Sequence, residues 1–179
     1  MSDDIFIHSD FIGIVASIYK PSIYVELGCQ FGYTLERVAP YAKTIYGIDI
    51  QSSPRLESIK NQFSNIDLQI TTTNNFFETF NEGIDMAFID ADHKFESCKQ
   101  DFDNVLQRLN PGGIIFLHDT DPEDNSLFDP SRCGDSYKIV NLLENRNDVN
   151  IVTLPIREAG LTLVTKKNNT RIKLHNSIQ

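Results

Sequence analysis

Two short runs carry most of the reactive side chains of this sequence, Asp90-Ala91-Asp92-His93 and His118-Asp119-Thr120-Asp121, and each directly follows an apolar stretch. Carboxylates and imidazoles at two strand ends offer hard oxygen ligands with nitrogen beside them, a donor set for Mg²⁺, Mn²⁺ or another divalent ion. Without a cation the carboxylates repel one another. A neutral imidazole is also matched to taking a proton from an acceptor near pH 7.

A second constellation stands earlier, in Val25-Glu26-Leu27-Gly28-Cys29-Gln30-Phe31-Gly32-Tyr33-Thr34. About 20 residues beyond its first glycine, Asp49 closes another apolar run, Ile45-Tyr46-Gly47-Ile48-Asp49, a spacing that marks a nucleoside lying over the end of a parallel strand. Gly28 and Gly32 let the strand turn sharply into a helix, and Asp49 is placed to accept hydrogen bonds from both ribose hydroxyls. Two features oppose the pyrophosphate of NAD or FAD: Glu26 beside the turn, and Gln30 where G-x-G-x-x-G has its middle glycine. S-adenosylmethionine (SAM) brings a sulfonium and an ammonium instead, and suits an acidic pocket. The expected cofactor contacts are Glu26, Gly28, Gln30, Phe31, Gly32, Asp49 and Asp90.

The elements that must position these groups alternate. An amphipathic helix is expected from about Ile5 to Tyr19, with Phe11, Ile14, Val15 and Ile18 as its apolar face, ending before Pro21. Strands follow at Ile23 to Leu27, Thr44 to Asp49, Asp67 to Thr71, Asp85 to Asp90 and Ile114 to Leu117. The fourth is a near-continuous apolar run, as in a parallel sheet covered on both faces. Helices lie between them: one through Leu35 and Val38, one from Pro54 to Phe63, and one aligning Phe95, Cys98, Phe102, Val105, Leu106 and Leu109. That last stripe reads as core and ends at the turn Asn110-Pro111-Gly112-Gly113. A helix near Tyr137 to Leu143 leads to strands Ile151 to Leu154 and Leu161 to Thr165, whose short connection requires antiparallel pairing. Residues just after parallel strands converge on the switch point of such a sheet, so both constellations share one cleft. Thr71 to Thr73 read as strand-end and turn residues.

With 179 residues and 40% hydrophobic composition the chain can bury one core, so a single domain is expected, with its core at about 22–166 and a polar tail at 167–179. A net charge of −9 without any basic run argues against nucleic acid or an anionic membrane as partner. No apolar segment has membrane-spanning length, and Asp3 and Asp4 stand where an export signal has basic residues, so a cytoplasmic location is expected. Cys29, Cys98 and Cys133 are odd in number and lack C-x-x-C spacing, which suits reduced thiols. Cys98 belongs in the core, and Cys29 behind the glycine turn.

The pattern E-L-G-x-x-x-G-Y-T resembles motif I of the class I SAM-dependent methyltransferases, within them the small catechol O-methyltransferase-like group. Phe88 to Glu96 together with Pro111 to Asp119 is still more similar to the I-D-G-D-H-x-Y-E and P-G-G-x-x-x-x-H-D pattern of bacterial methyltransferase domains that modify sugars and natural products. The matching segments run from about Ser22 to Thr120. The resemblance implies a doubly wound, Rossmann-like α/β fold with seven strands, mostly parallel, in the order 3-2-1-4-5-7-6 with a C-terminal antiparallel hairpin. It implies a metal held by Asp90 and Asp119, with Thr120 in the place of the family's asparagine and His118 adjacent. His93 falls where the catechol group has its lysine base. Asn74 and Asn75 fall where the fold meets adenine, and an amide can pair with both donor and acceptor on the base edge.

The function implied is methyl transfer from SAM to a hydroxyl of a small molecule or saccharide, with His93 as general base, Asp90 beside it and a divalent metal assisting. The same histidines and aspartates also suit a structural role as caps of strand and helix ends. A silent SAM- or nucleoside-binding module and, more remotely, an NAD-linked oxidoreductase are the alternatives. The acidic stretch Asp121 to Asp135, broken by Pro122 and Pro130, fits either a lid or a surface insertion. Its Arg132 suits either an anionic substrate group or local charge balance. The resemblance also implies an open acceptor side, because only about 20 residues precede the first strand, fewer than many relatives use for a substrate-covering cap; that suits a large acceptor or a second copy of the chain completing the pocket as a homodimer.

Overall fold

The computed structural model describes residues 7–157 and 159–167. Seven strands form one sheet: β1 (Ile23–Leu27), β2 (Thr44–Asp49), β3 (Ile66–Ile70), β4 (Ile84–Ile89), β5 (Leu109–His118), β6 (Val149–Leu154) and β7 (Leu161–Lys166). Their order is β3-β2-β1-β4-β5-β7-β6, as the resemblance implied. The pairs β1–β2, β1–β4, β2–β3 and β4–β5 are parallel, and β7 runs antiparallel to both its neighbours. Helix α1 (Ile7–Tyr19) precedes β1, and between strands lie α2 (Tyr33–Val38), α3 (Pro54–Gln62), α4 (Thr73–Thr79), α5 (Phe95–Arg108) and α6 (Lys138–Glu144), with a 3₁₀ turn at Asn125–Phe128. No helix among the described residues is long and apolar enough to cross a membrane. Ile5, Asp3, Asp4 and the polar tail from 168 onward lie outside the described residues.

Side-chain alternation along the strands divides the core in two. Val25, Leu27, Ala87, Ile89, Ile115 and Leu117 face α4, α5 and α6, meeting Phe76, Phe102 and Ile139; Tyr24, Met86, Phe88 and Phe116 face α1, α2 and α3, meeting Ile12, Leu35 and Leu56. Most of the expected α5 stripe is buried, Cys98 included. The α1 face is rotated from expectation: Ile12 and Ala16 are fully buried, whereas Ile14 is 60% and Ile18 79% exposed. Small residues at 13 and 16 let α1 approach closely, and Gly13 lies so near Arg37 of α2 that a Cβ would meet the Arg37 Cβ at 2.9 Å.

Two elements differ from the sequence reading. Helix α4 begins inside the stretch read as turn, started by the Thr72 hydroxyl, which accepts a hydrogen bond from Asn75 N–H at 3.2 Å. Strand β5 begins at Leu109, before the Asn-Pro-Gly-Gly turn. Leu109 pairs with Ile84 and Ile114 with Met86, so residues 110–113 bulge out opposite Asp85. Asp85 anchors this bulge: Oδ1 accepts from Asn110 Nδ2 at 2.8 Å, and Oδ2 accepts from the Ser22 and Ile23 amides at 2.9 and 3.0 Å.

Gly28 shows why the turn after β1 needs a glycine. Its φ is +85°, and an added Cβ would lie 2.1 Å from the Asp90 carbonyl oxygen. The absent side chain lets the chain beyond β4 rest on the β1 turn. We expect Gly28→Ala to destabilise the fold by about 3 kcal/mol, seen as a melting temperature lowered by roughly 6–12 °C, with Gly112→Ala, where a Cβ meets nothing within 4 Å, as the milder left-handed control.

Candidate active site

The carboxyl ends of β1, β2, β3, β4 and β5 open into one cleft of about 1160 Å³. Single-ligand pockets usually hold roughly 300–1,000 Å³, so this one has room for two ligands side by side. One wall is built from Glu26, Gly28, Gln30, Phe31, Asp49 and Asn74; the other from His8, Asp90, His93, His118, Asp119 and part of the loop beyond β5.

On the first wall, Glu26 is almost completely buried. Burial pushes its carboxyl up to about 8, against the hydrogen bonds from the Tyr24 hydroxyl at 2.7 Å and the Leu35 backbone. Asp49 also ties the turn together. Its Oδ2 accepts from Cys29 N–H at 2.9 Å and Gln30 N–H at 2.7 Å, and its Oδ1 accepts from Gln51 N–H at 2.9 Å. A carboxylate has about four acceptor sites, so roughly one remains for a ribose rather than enough for two hydroxyls held symmetrically. The same bonds occupy N–H groups of the turn that a phosphate would need, which adds to the case against a dinucleotide. Gln30 holds a left-handed φ of 48°, supported at its carbonyl by the Ser53 hydroxyl at 3.3 Å. Arg55 braces the turn from α3, donating to the Phe31 carbonyl at 2.6 Å and lying 3.9 Å above the Tyr33 ring. Gly32, at φ +72°, starts α2. Asn74 lines the cleft; the Asn75 side chain is not among its walls.

On the second wall, Asp90, His93 and Asp119 bring ligand atoms within 4.8 Å of one another. His93 Nε2 lies 3.7 Å from Asp90 Oδ1 and 3.3 Å from Asp119 Oδ2. His118 Nδ1 sits between the same aspartates, 3.2 Å from Asp90 and 3.1 Å from Asp119. Burial disfavours its imidazolium, yet the two carboxylates raise it to about 10. Asp90 shows the reverse: burial alone would raise its carboxyl, but His118, helped by His93 and His8, holds it well below the usual carboxylate range. His118 thus lies between the two aspartates as a counter-charge. His93 is raised by its bond to Asp90 and the charge of Asp119. Thr120 does not join them: it is buried behind the cleft and accepts from the Thr162 hydroxyl at 2.8 Å. It packs against β7, so Asp119 and the chain turn at φ 57° carry this strand end alone.

His8 escaped the sequence reading. It lies one residue into α1, with its ring 4.3 Å from His118 and 5.8 Å from Phe88. Burial and the neighbouring imidazolium lower it to about 4, so it stays neutral. No local spacing marks it, because α1 meets β5 only through the tertiary fold.

The stretch read as lid or insertion is fastened to the site. Leu127 and Cys133 are buried and line the cleft with Ser131 and Arg132, and Ser136 Oγ donates to the Asp119 carbonyl at 3.2 Å. Asp135 N–H donates to the His93 carbonyl at 2.9 Å, and Asp135 Oδ1 accepts from Phe95 N–H at 2.7 Å. One residue therefore grips the chain on both sides of Lys94, directly after His93, and caps α5, whose own N-cap, Lys94, makes no side-chain cap bond. Gly134, at φ +57°, permits this contact, since a Cβ there would collide with the His93 carbonyl.

The methyltransferase domain family matches residues 25–120. A probable cobalt-precorrin-6B C(15)-methyltransferase (decarboxylating) from Archaeoglobus fulgidus is 30% identical over 87 residues, 47% of this chain and 52% of that protein. The chain thus spans about half the length of the curated relative it matches. Among solved structures, the O-methyltransferase TomG from Streptomyces achromogenes, in complex with SAM, superposes with a TM-score of 0.77 at 16% identity, covering 94% of this chain and 84% of that one. The O-methyltransferase from Bacillus cereus, in complex with S-adenosylhomocysteine (SAH), gives 0.74 at 18% identity, covering 93% and 84%. These likenesses show the fold.

Two outcomes follow. The Glu26 carboxyl is raised from 4.5 to about 8 in the folded chain, so the native state holds more protons than the unfolded one across that window. Its ionisation therefore lowers stability progressively as pH rises through it. Glu26→Gln should match the wild type in urea unfolding at about pH 5 and exceed it by a few kcal/mol at about pH 9. Asp135→Ala should lower stability by about 1 kcal/mol through the lost cap, whereas Asp135→Asn, which keeps an acceptor oxygen for Phe95 N–H, should restore most of it in thermal melts.

Proposed function

The chain belongs to the methyltransferase domain family, and from that premise we propose that it transfers a methyl group from SAM to a hydroxyl of a small molecule or saccharide. The observation that carries this reading is the single cleft in which the glycine turn, Glu26 and Asp49 open directly onto Asp90, His93 and Asp119. Residues 22–166 would form the catalytic domain.

The chain fits the cofactor at Glu26. A buried carboxyl facing a cleft is stabilised in its ionised form by an ammonium, and Tyr24 and Leu35 orient it for that contact. Asp49 keeps an acceptor site for a ribose hydroxyl while it shapes the turn. Both structural neighbours named above carry SAM or SAH, which supports the same cofactor here.

When bound, SAM supplies a methyl carbon on a sulfonium: the acceptor oxygen forms the C–O bond as the C–S bond breaks, and SAH leaves. His93 takes the acceptor proton, and Asp119 and Asp90 neutralise the imidazolium so formed. His118 keeps both aspartates together throughout, and Asp135 holds the His93 backbone in place. Asp90, His93 and Asp119 also form a donor set that fits a divalent cation, which there would lower the pKa of an acceptor hydroxyl and fix its position. Leu127, Ser131 and Arg132 border the acceptor side and mix apolar with hydrogen-bonding surface, as a polyhydroxylated acceptor requires. The acidic chain gives no broad attraction for nucleic acid.

Calorimetric titration of SAH tests the cofactor, with and without EDTA. Micromolar binding is expected, and no binding in any condition would remove SAM from the reading. His93→Ala should leave that affinity within about twofold and lower SAH production with hydroxylated acceptors by roughly 10²-fold or more. Full activity in His93→Ala would overturn the base assignment.

A further inference from the structure

Asp101 is a buried carboxylate with no part in methyl transfer. It is 3% exposed, yet it lines the cleft from α5 together with Ser97 and Gln100. Burial pushes the group up to about 6, and the neighbouring Thr73 side chain, at the start of α4, acts the other way. A cap for α4 does not explain it, because Thr72 already fills that role.

Its place in the cleft does. Along the sheet order β3-β2-β1-β4, Glu26 belongs to β1 and Asp49 ends β2. A nucleoside whose ribose lies at the acid ending β2 extends its base toward the next strand end, which is that of β3. Thr71, Thr72, Thr73 and Asn74 follow β3 and line that corner, and Asp101 closes it from the neighbouring helix. An ionised carboxylate only accepts hydrogen bonds, so a buried one at the edge of a base selects a donor.

We propose that Asp101 determines cofactor specificity by accepting a hydrogen bond from the 6-amino group of the cofactor's adenine. The inference rests on the SAM reading above. A purine without that amine leaves the buried carboxylate short of a donor, and a 6-keto purine sets an acceptor against it, which is worse.

The full chain is titrated by calorimetry with SAH, its 6-deamino purine analogue and S-inosylhomocysteine. Wild type should bind the deamino analogue about 10-fold and the inosine analogue about 100-fold more weakly than SAH. Asp101→Asn, whose amide can face either an amine or a keto group, should keep SAH binding and bring the inosine analogue within about threefold of it. Binding of all three ligands by wild type within about threefold, or unchanged discrimination in folded Asp101→Asn, overturns the proposal. If Asp101→Asn does not fold, Asp101→Ser is read in the same way, its loss of discrimination being the supporting result. Absence of SAH binding to wild type defeats the SAM reading itself, whereas SAH binding without discrimination defeats only the role of Asp101.

Discussion

Asp90 and Asp119 end adjacent parallel strands, and Asp119 is 5% exposed, so the sheet forces two carboxylates together where water screens them poorly. The His118 imidazolium, within 3.2 Å of each, is what makes that arrangement tolerable. Its charge then dictates the neighbours. His8, packed on the same ring, stays neutral, while His93, on the open side of the aspartates, is drawn toward protonation. Three histidines of one chemical type thus hold three different proton affinities, ordered by which faces they turn to the aspartates and to one another.

Position is controlled by backbone as much as by charge. Gly28 lets the Asp90 carbonyl rest against the β1 turn, so the cofactor wall and the acceptor wall touch through main-chain atoms. From the opposite side, Gly134 and Asp135 press on the His93 carbonyl, and Ser136 holds the Asp119 carbonyl. The segment beyond β5 therefore both borders the acceptor and fixes the residues that act on it. A loop with so many bonds to the site behaves as a third wall, and its buried Leu127 and Cys133 leave it little of the independence of a surface insertion.

Much of this was legible in the sequence because it depends on local pattern. Short apolar runs gave the parallel strands, Pro54 marked the start of α3, and the glycines with Asp49 located the cleft. Helix α4 was missed because its signals, Thr72 as cap and a phenylalanine-rich body, resemble strand and turn chemistry. The bulge at 110–113 was hidden because Pro and Gly read as a full stop, whereas Asp85, distant in sequence, ties that turn into the sheet. His8, Asp101 and Asp135 carry no motif at all, since each acts on a partner at least 28 residues away and only packing supplies the partner. His8 meets His118, Asp101 meets Thr73 and Asp135 meets His93.

The carboxyls in the cleft are held in different states by their surroundings: Asp90 low beside imidazoles, Asp101 near 6, and Glu26 near 8 with little but a hydroxyl and a backbone group to support its charge. An empty cleft therefore holds less negative charge than its composition suggests, and an arriving cation favours the ionised form of Glu26. In the proposed reaction SAM enters with a sulfonium and SAH leaves without it, while His93, acting from its unprotonated form, becomes an imidazolium. The positive charge passes from the ligand to the protein, and the total within the cleft does not change. Asp90 and Asp119 already face the place where it arrives, so the dipoles around the site need little reorientation as transfer proceeds. That fixed placement is the advantage of holding two carboxylates side by side before any ligand binds.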